Sequence, residues 1–202
     1  RAGIPGLTSW FTSASLAGGG AAIDLGPHII DSLLYMLGEP RVVAVSAVTY
    51  GELGRAGYGA MDNSNYTQGS TGEFQVEDLC SALLRLDNGS SVALEITWAG
   101  HTVDDEDISF ELLGVDSGLR IFIPRYATEN TLSLFGDENG EHYTRTPKVS
   151  STGEGHLAVI NEFIEHVASG DFASHAGDYA LHRTAIIDAM YRSAKAGKEV
   201  TL

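Results

Sequence analysis

From Glu77 to Thr146 the chain is a succession of short apolar-rich runs separated by tight turns, and no other feature restricts the possible folds as much. Residues 77–86 and 90–98 flank Asp87-Asn88-Gly89, a hairpin signal because Asn-Gly accepts the positive φ of a tight turn. In the second run Val92, Leu94, Ile96 and Trp98 alternate with Ser91, Ala93, Glu95 and Thr97, so one face is apolar and the other polar. Residues 108–113, 119–123, 131–135 and 142–146 continue the pattern. Short strands joined by tight turns pair antiparallel, since parallel neighbours need long crossovers. Residues 41–50 read as another strand, and their near-continuous apolar content predicts burial on both faces. Two helices close the chain: Leu157, Ile160, Phe163, Ile164 and Val167, then Tyr179, Arg183, Ile186, Ile187, Met190 and Tyr191, recur at helical spacing, with Asp178 the expected N-cap of the second. The expected fold class is α+β, an open, largely antiparallel β-sheet with helices packed on one face, residues 1–202 forming one domain.

Ahead of the strands, Gly18-Gly19-Gly20 opens a run that stops at Gly38-Glu39-Pro40 and reads as a helix with a glycine terminator. Pro27 lacks an N–H and belongs in a first turn, which would put Asp24 and His28 beside the helix start. Asp24, His28 and Asp31 are spaced i, i+4, i+7 and fall within an arc of about 60° on one face. That polar ridge is either the wet side of an amphipathic helix or a site. The three glycines favour a site, because they let a ligand or another domain lie against the backbone. Metal ligation is not expected, since no second His or Cys stands at zinc-like spacing. Trp10 and Phe11, just before the glycines, either wall the site or pack into the core.

The formal charge is -15, from 12 basic and 27 acidic residues, and leaves no basic excess for nucleic acid. No apolar run is long enough to span a bilayer, and no signal-peptide pattern opens the sequence. The single cysteine, Cys80, sits in an apolar strand, where a buried inert thiol and a cytoplasmic location are expected. The first residue is Arg1 in a Gly/Pro-rich turn, so the expectation is a chain cut or processed from something longer.

Several segments together carry a resemblance. They are Arg1-Ala2-Gly3-Ile4-Pro5-Gly6, Ser9-Trp10-Phe11, and Gly18-Gly19-Gly20 through Asp24-x-Gly26-x-His28-x-x-Asp31. Val76-Glu77-Asp78 with Leu83-Leu84-Arg85-Leu86-Asp87-Asn88-Gly89, and Tyr191-Arg192-Ser193-Ala194-Lys195-Ala196-Gly197-Lys198, complete the set. The chain resembles the C-terminal domain of the Gfo/Idh/MocA oxidoreductases, NAD(P)-dependent enzymes acting mainly on sugars and polyols, including inositol. The resemblance implies the substrate-binding, catalytic and oligomerising half of such an enzyme. An N-terminal Rossmann domain, absent from this sequence, would bind NAD or NADP and bring the family's Glu-Lys-Pro lysine. It further implies a homodimer or homotetramer through the open sheet face and a fragment inactive by itself. Oxidising a secondary alcohol needs a proton acceptor as hydride leaves carbon, and imidazole suits that near neutral pH. Carried over by position, His28 is the general base, Asp24 binds a substrate hydroxyl and stabilises the imidazolium, and Asp31 binds another hydroxyl or orients His28. Trp10 is a candidate substrate contact, and no cofactor-binding residue is assigned. The alternatives are a non-redox sugar- or nucleotide-sensing regulator on the same fold, or an NAD-dependent glycosidase of the family.

Three other features carry less. Gly153-Glu154-Gly155-His156-Leu157-Ala158 fits a dinucleotide fingerprint but lacks the preceding buried strand. Asp104-Asp105-Glu106-Asp107 reads as a solvated acidic turn, and the glycine-rich stretch 51–72 as a long loop.

Overall fold

The computed structural model describes residues 3–61, 72–103, 106–148, 155–175 and 177–202. The chain divides into two compact units, Arg1–Thr102 with Gly177–Leu202, and Val103–Ala176. Both are built from antiparallel strands and helices, so the α+β class holds, although the strands form two four-stranded open sheets rather than one.

The first unit contains a 3-10 turn at Trp10–Thr12 and the helices α1 (Ala14–Ala17), α2 (Ala21–Met36), α3 (Glu52–Arg55) and α5 (Asp178–Ala196). Its strands are β1 (Val42–Tyr50), β2 (Leu79–Leu86), β3 (Ser91–Thr97) and β8 (Val200–Thr201), in the order β3-β2-β1-β8. The β2–β3 hairpin turns on Gly89 at φ 87°, with Leu86 N–H donating to Ser90 O at 2.9 Å. Helix α5 packs on β1, and α2 on β2 and β3. Ile30 and Leu34 of α2, Val45, Leu84, and Ile186 and Met190 of α5 meet there with no exposed surface. On the other face Val43, Val48, Tyr50 and Leu83 are exposed, so β1 is covered on one side only, contrary to the reading of its apolar run. The β-branched residues there satisfy strand propensity without burial.

Helix α2 ends as its sequence predicts. Gly38 adopts φ 77°, and the N–H groups of Gly38 and Glu39 return to Tyr35 O and Leu34 O, closing a Schellman motif. Its start differs from expectation. The helix begins at Ala21, so Pro27 lies in the second turn and only Asp24 is in the first. Helix α5 likewise begins at Asp178, with Gly177 in the N-cap position at φ 78° and no side-chain cap.

The second unit holds the meander β4 (Asp107–Leu113), β5 (Ser117–Pro124), β6 (Leu132–Glu138) and β7 (Glu141–Arg145), in sequence order, followed by helix α4 (His156–Ser169). Helix α4 contains no buried residue. The start of the fingerprint-like segment, the middle of the loop 51–72 and part of the acidic turn lie outside the described residues. Among the described residues no helix is long and apolar enough to cross a membrane.

Candidate functional site

The reason for Gly18-Gly19-Gly20 is internal. A Cβ on Gly20 would stand 1.9 Å from Glu77 O, and one on Gly19 2.1 Å from the Tyr191 hydroxyl oxygen. The buried Glu77 carboxylate accepts the Gly20 N–H through Oε1 at 2.9 Å and Oε2 at 3.0 Å, and the Ala22 N–H at 3.0 Å. Its backbone carbonyl accepts the Ala21 N–H at 3.2 Å. Glu77 therefore caps α2 from another part of the chain, neutralising the N-terminal end of the helix dipole. This early cap starts the helix six residues ahead of Pro27. Gly19 and Gly20 make room for Tyr191 and Glu77, so at these two positions the chain itself fills the space that the sequence reading left to a ligand or another domain. Tyr191 donates its hydroxyl proton to Glu77 Oε1 at 2.8 Å, and burial, with the Glu77 charge added, pushes its ionisation well above the ordinary phenol value.

Asp24 follows in the first turn, half-buried, and its Oδ2 accepts the Trp98 indole N–H at 2.8 Å. Trp98, just beyond β3, is 1% exposed. Its ring centroid lies 5.9 Å from that of Phe11, which in turn lies 4.7 Å from that of Trp10. The two readings of Trp10-Phe11 separate here: Trp10 is 46% exposed, whereas Phe11 packs against the core. His28 is exposed one turn after Asp24, and residues four apart on a helix hold their Cβ atoms about 5–6 Å from each other. Asp31, also exposed, accepts from Arg183 Nε at 2.9 Å; Arg183 Nη2 donates to Glu39 at 2.7 and 2.9 Å. The Arg183 side chain is only 6% exposed and ties α5 to α2 through Asp31 and to the turn after α2 through Glu39. Asp31 thus belongs to an ion pair as well as to the ridge.

The sequence reading missed Trp98 and Arg183 as partners. The available signals were that a buried indole N–H needs an acceptor, and that an arginine on an apolar helix face needs carboxylates. Next to Glu77, Asp78 accepts the Gly54 N–H at 2.8 Å through Oδ2, and burial raises its carboxyl above the usual range despite that bond. Cys80 is buried, and its thiol is pushed up to about 12, chiefly by burial.

Two concavities lie elsewhere in this unit. A shallow groove of about 600 Å³ runs over Val48, Leu83 and Lys198 on the exposed sheet face. A polar one of about 290 Å³ lies among Arg55, Gln75, Glu77 and Tyr191. Neither is lined by Asp24 or His28. For a dinucleotide cofactor the residues fit only in part. The α2 amides that would suit a phosphate are taken by Glu77, while the Asp24–His28 ridge offers proton-accepting groups for the reacting end of a substrate.

The sequence matches the "Oxidoreductase family, C-terminal alpha/beta domain" over residues 6–202. The chain belongs to the Gfo/Idh/MocA family. D-glucoside 3-dehydrogenase of Escherichia coli (strain K12) is 27% identical over 208 aligned positions, covering 100% of this chain and 54% of that protein. Levoglucosan dehydrogenase of Pseudarthrobacter phenanthrenivorans is 29% identical over 114 residues, 55% of this chain and 29% of that protein. A solved structure of levoglucosan dehydrogenase with NADH and levoglucosan shares the fold at TM-score 0.69 and 22% identity, over 98% of this chain and 55% of that one. The aldose-aldose oxidoreductase of Caulobacter crescentus, solved with glycerol, does so at TM-score 0.66 and 20% identity, over 96% and 50%. This Gfo/Idh/MocA chain therefore spans about half the length of the D-glucoside 3-dehydrogenase and levoglucosan dehydrogenase structure it matches.

Proposed function

We propose that the chain is the substrate-binding half of an NAD(P)-dependent dehydrogenase that oxidises a secondary alcohol of a sugar or polyol. The observation that carries this reading is an exposed imidazole, His28, one helical turn from a carboxylate, Asp24, that is anchored by Trp98 on one oxygen. The other oxygen, Oδ1, has no protein partner among the described residues. His28 takes the hydroxyl proton as the carbinol C–H bond breaks. Asp24 accepts a hydrogen bond from the substrate and stabilises the imidazolium. A nicotinamide, when bound, supplies the acceptor for the hydride. Asp31 contributes a further hydroxyl contact from its exposed side, and Trp10 offers an apolar face to the C–H side of a sugar ring. The names of the two curated relatives favour glucosides and anhydrosugars as first substrates to try.

The nucleotide belongs in this reading to a Rossmann half outside the sequence, consistent with the half-length matches and with α2 amides already capped. The exposed sheet face bearing Val48, Tyr50 and Leu83 is the proposed contact with a second subunit. The test is reduction of NAD and of NADP by the intact protein across a panel of glucosides, levoglucosan and inositols. His28→Ala should lower kcat about a hundredfold to ten-thousandfold, the usual worth of a general base. A variant that keeps full turnover removes His28 from the mechanism.

A further inference from the structure

We propose that Trp98 is a positioning residue for the Asp24 carboxylate; the inference rests on the dehydrogenase reading above and deepens it. Trp98 is 1% exposed, and its indole N–H has one described acceptor, Asp24 Oδ2 at 2.8 Å, from 74 residues away in sequence. Packing alone would be served by any large apolar ring. An indole adds a donor that must be matched when buried, and here its match is the side chain assigned to bind substrate. The backbone beneath Asp24 is fixed as well. Glu77 caps Gly20 and Ala22, and the Asp24 N–H donates to Gly20 O at 3.1 Å. With its main chain held by the capped helix and Oδ2 held by the indole, the carboxylate loses its rotameric freedom before any ligand arrives.

The two carboxylates of the ridge receive different partners. Asp31 is bonded to the guanidinium of Arg183, a full positive charge that offsets its own. Asp24 is bonded to a neutral donor, which orients the group without bringing a countercharge to it. Asp24 is therefore the acid of this ridge equipped to stabilise an imidazolium at His28, and Trp98 is what aims it. Phe11 buttresses the indole from the side of exposed Trp10, with ring centroids 5.9 Å apart, so the aiming group has its own packing support.

The test uses the intact protein and two readouts. The first is the indole N–H spectrum by 15N–1H NMR, in which the Trp98 resonance is assigned by its loss in Trp98→Phe. In Asp24→Ala that resonance should move upfield as its acceptor disappears. A resonance that stays in place overturns the pairing whatever the activity. The second is steady-state kinetics. Trp98→Phe should lower kcat about tenfold to a hundredfold while KM stays within about threefold, because the imidazolium that an aimed Asp24 stabilises forms only as the proton is transferred. Benzothienylalanine at position 98, which keeps the indole shape without the N–H, should reproduce the loss and keeps the test open if Trp98→Phe does not fold. Full kcat with the isostere overturns the positioning role alone. Full kcat in Asp24→Asn overturns the site assignment itself, so the two failures are told apart.

Discussion

The two units of this chain are built from the same kind of antiparallel ladder and differ in what covers it. In the first, α2 and α5 lie on the sheet and bury Ile30, Leu34, Val45, Leu84, Ile186 and Met190. In the second, the strands β4 to β7 keep their register from Asp107↔Pro124 to Glu138↔Glu141 without a single buried residue. Helix α4 leaves Phe163 66% exposed where Ile186 of α5 has no exposed surface. Hydrogen-bond register specifies a strand arrangement, whereas removal of apolar surface from water supplies most of the stability. Every residue assigned to the candidate site lies in the unit with the closed core. A carboxylate and an imidazole must be held to within a fraction of an ångström to work together, and a packed helix provides that.

The sharpest break in this comparison comes from Gly20→Ala. Its Cβ would meet a backbone oxygen at 1.9 Å, so the α2 start must shift and release the Glu77 cap. The expected cost is more than about 3 kcal/mol, read from denaturant midpoints, with loss of turnover in the intact protein. Next is the pair Leu84→Ala and Ile121→Ala, equivalent truncations in the two sheets. Leu84, fully buried, should cost about 2–5 kcal/mol, and Ile121, which is only partly buried, clearly less. Equal costs in urea unfolding would mean that the second sheet has a core of its own.

A smaller effect concerns Asp78. Burial raises its carboxyl above 3.8, so between that value and the raised one the folded chain binds the proton that the unfolded chain has released. Stability contributed by this group is then lost as pH rises through the window. Asp78→Asn keeps an acceptor for Gly54 and should show a flatter fall of the urea midpoint as pH rises above 3.8, where the carboxyl of the unfolded chain ionises first. An identical slope in both proteins would contradict the burial argument. Cys80 follows the same logic at high pH. With its thiol pushed up to about 12, it should resist a disulfide reagent in the native protein and react once unfolded, where the ordinary value is 9.0. The smallest effect is expected for the Glu52–Arg55 pair, 71% and 54% exposed, whose removal should leave the urea midpoint unchanged because solvent screens the pair.

Much of the fold could be read locally. The Asp87-Asn88-Gly89 turn, the in-and-out alternation ending at Trp98, the Gly38 terminator and the two closing helices were legible because each depends on neighbours a few residues apart. The placing of Asp24 and His28 one turn apart on a single helix was legible for the same reason, since it depends on helical periodicity alone. The division of the strands into two sheets was not, because a turn signal says that two strands pair and not where a sheet stops. Nor was the purpose of the triple glycine. Its occupant, Glu77, lies 57 residues away, and glycine makes room equally for a ligand or for the chain itself.

By itself, then, the sequence determined the strand and helix periods, the turns that join them, the ridge of Asp24, His28 and Asp31, and the likeness to an oxidoreductase domain that the family match bears out. Only the tertiary structure decided which groups that ridge is tied to: the Trp98 indole on Asp24, Arg183 on Asp31 and Glu77 at the helix start. The division has a physical cause. Periodicity arises from the covalent geometry of adjacent residues, while a hydrogen bond across 57 to 152 residues exists only after the core has brought its two ends together.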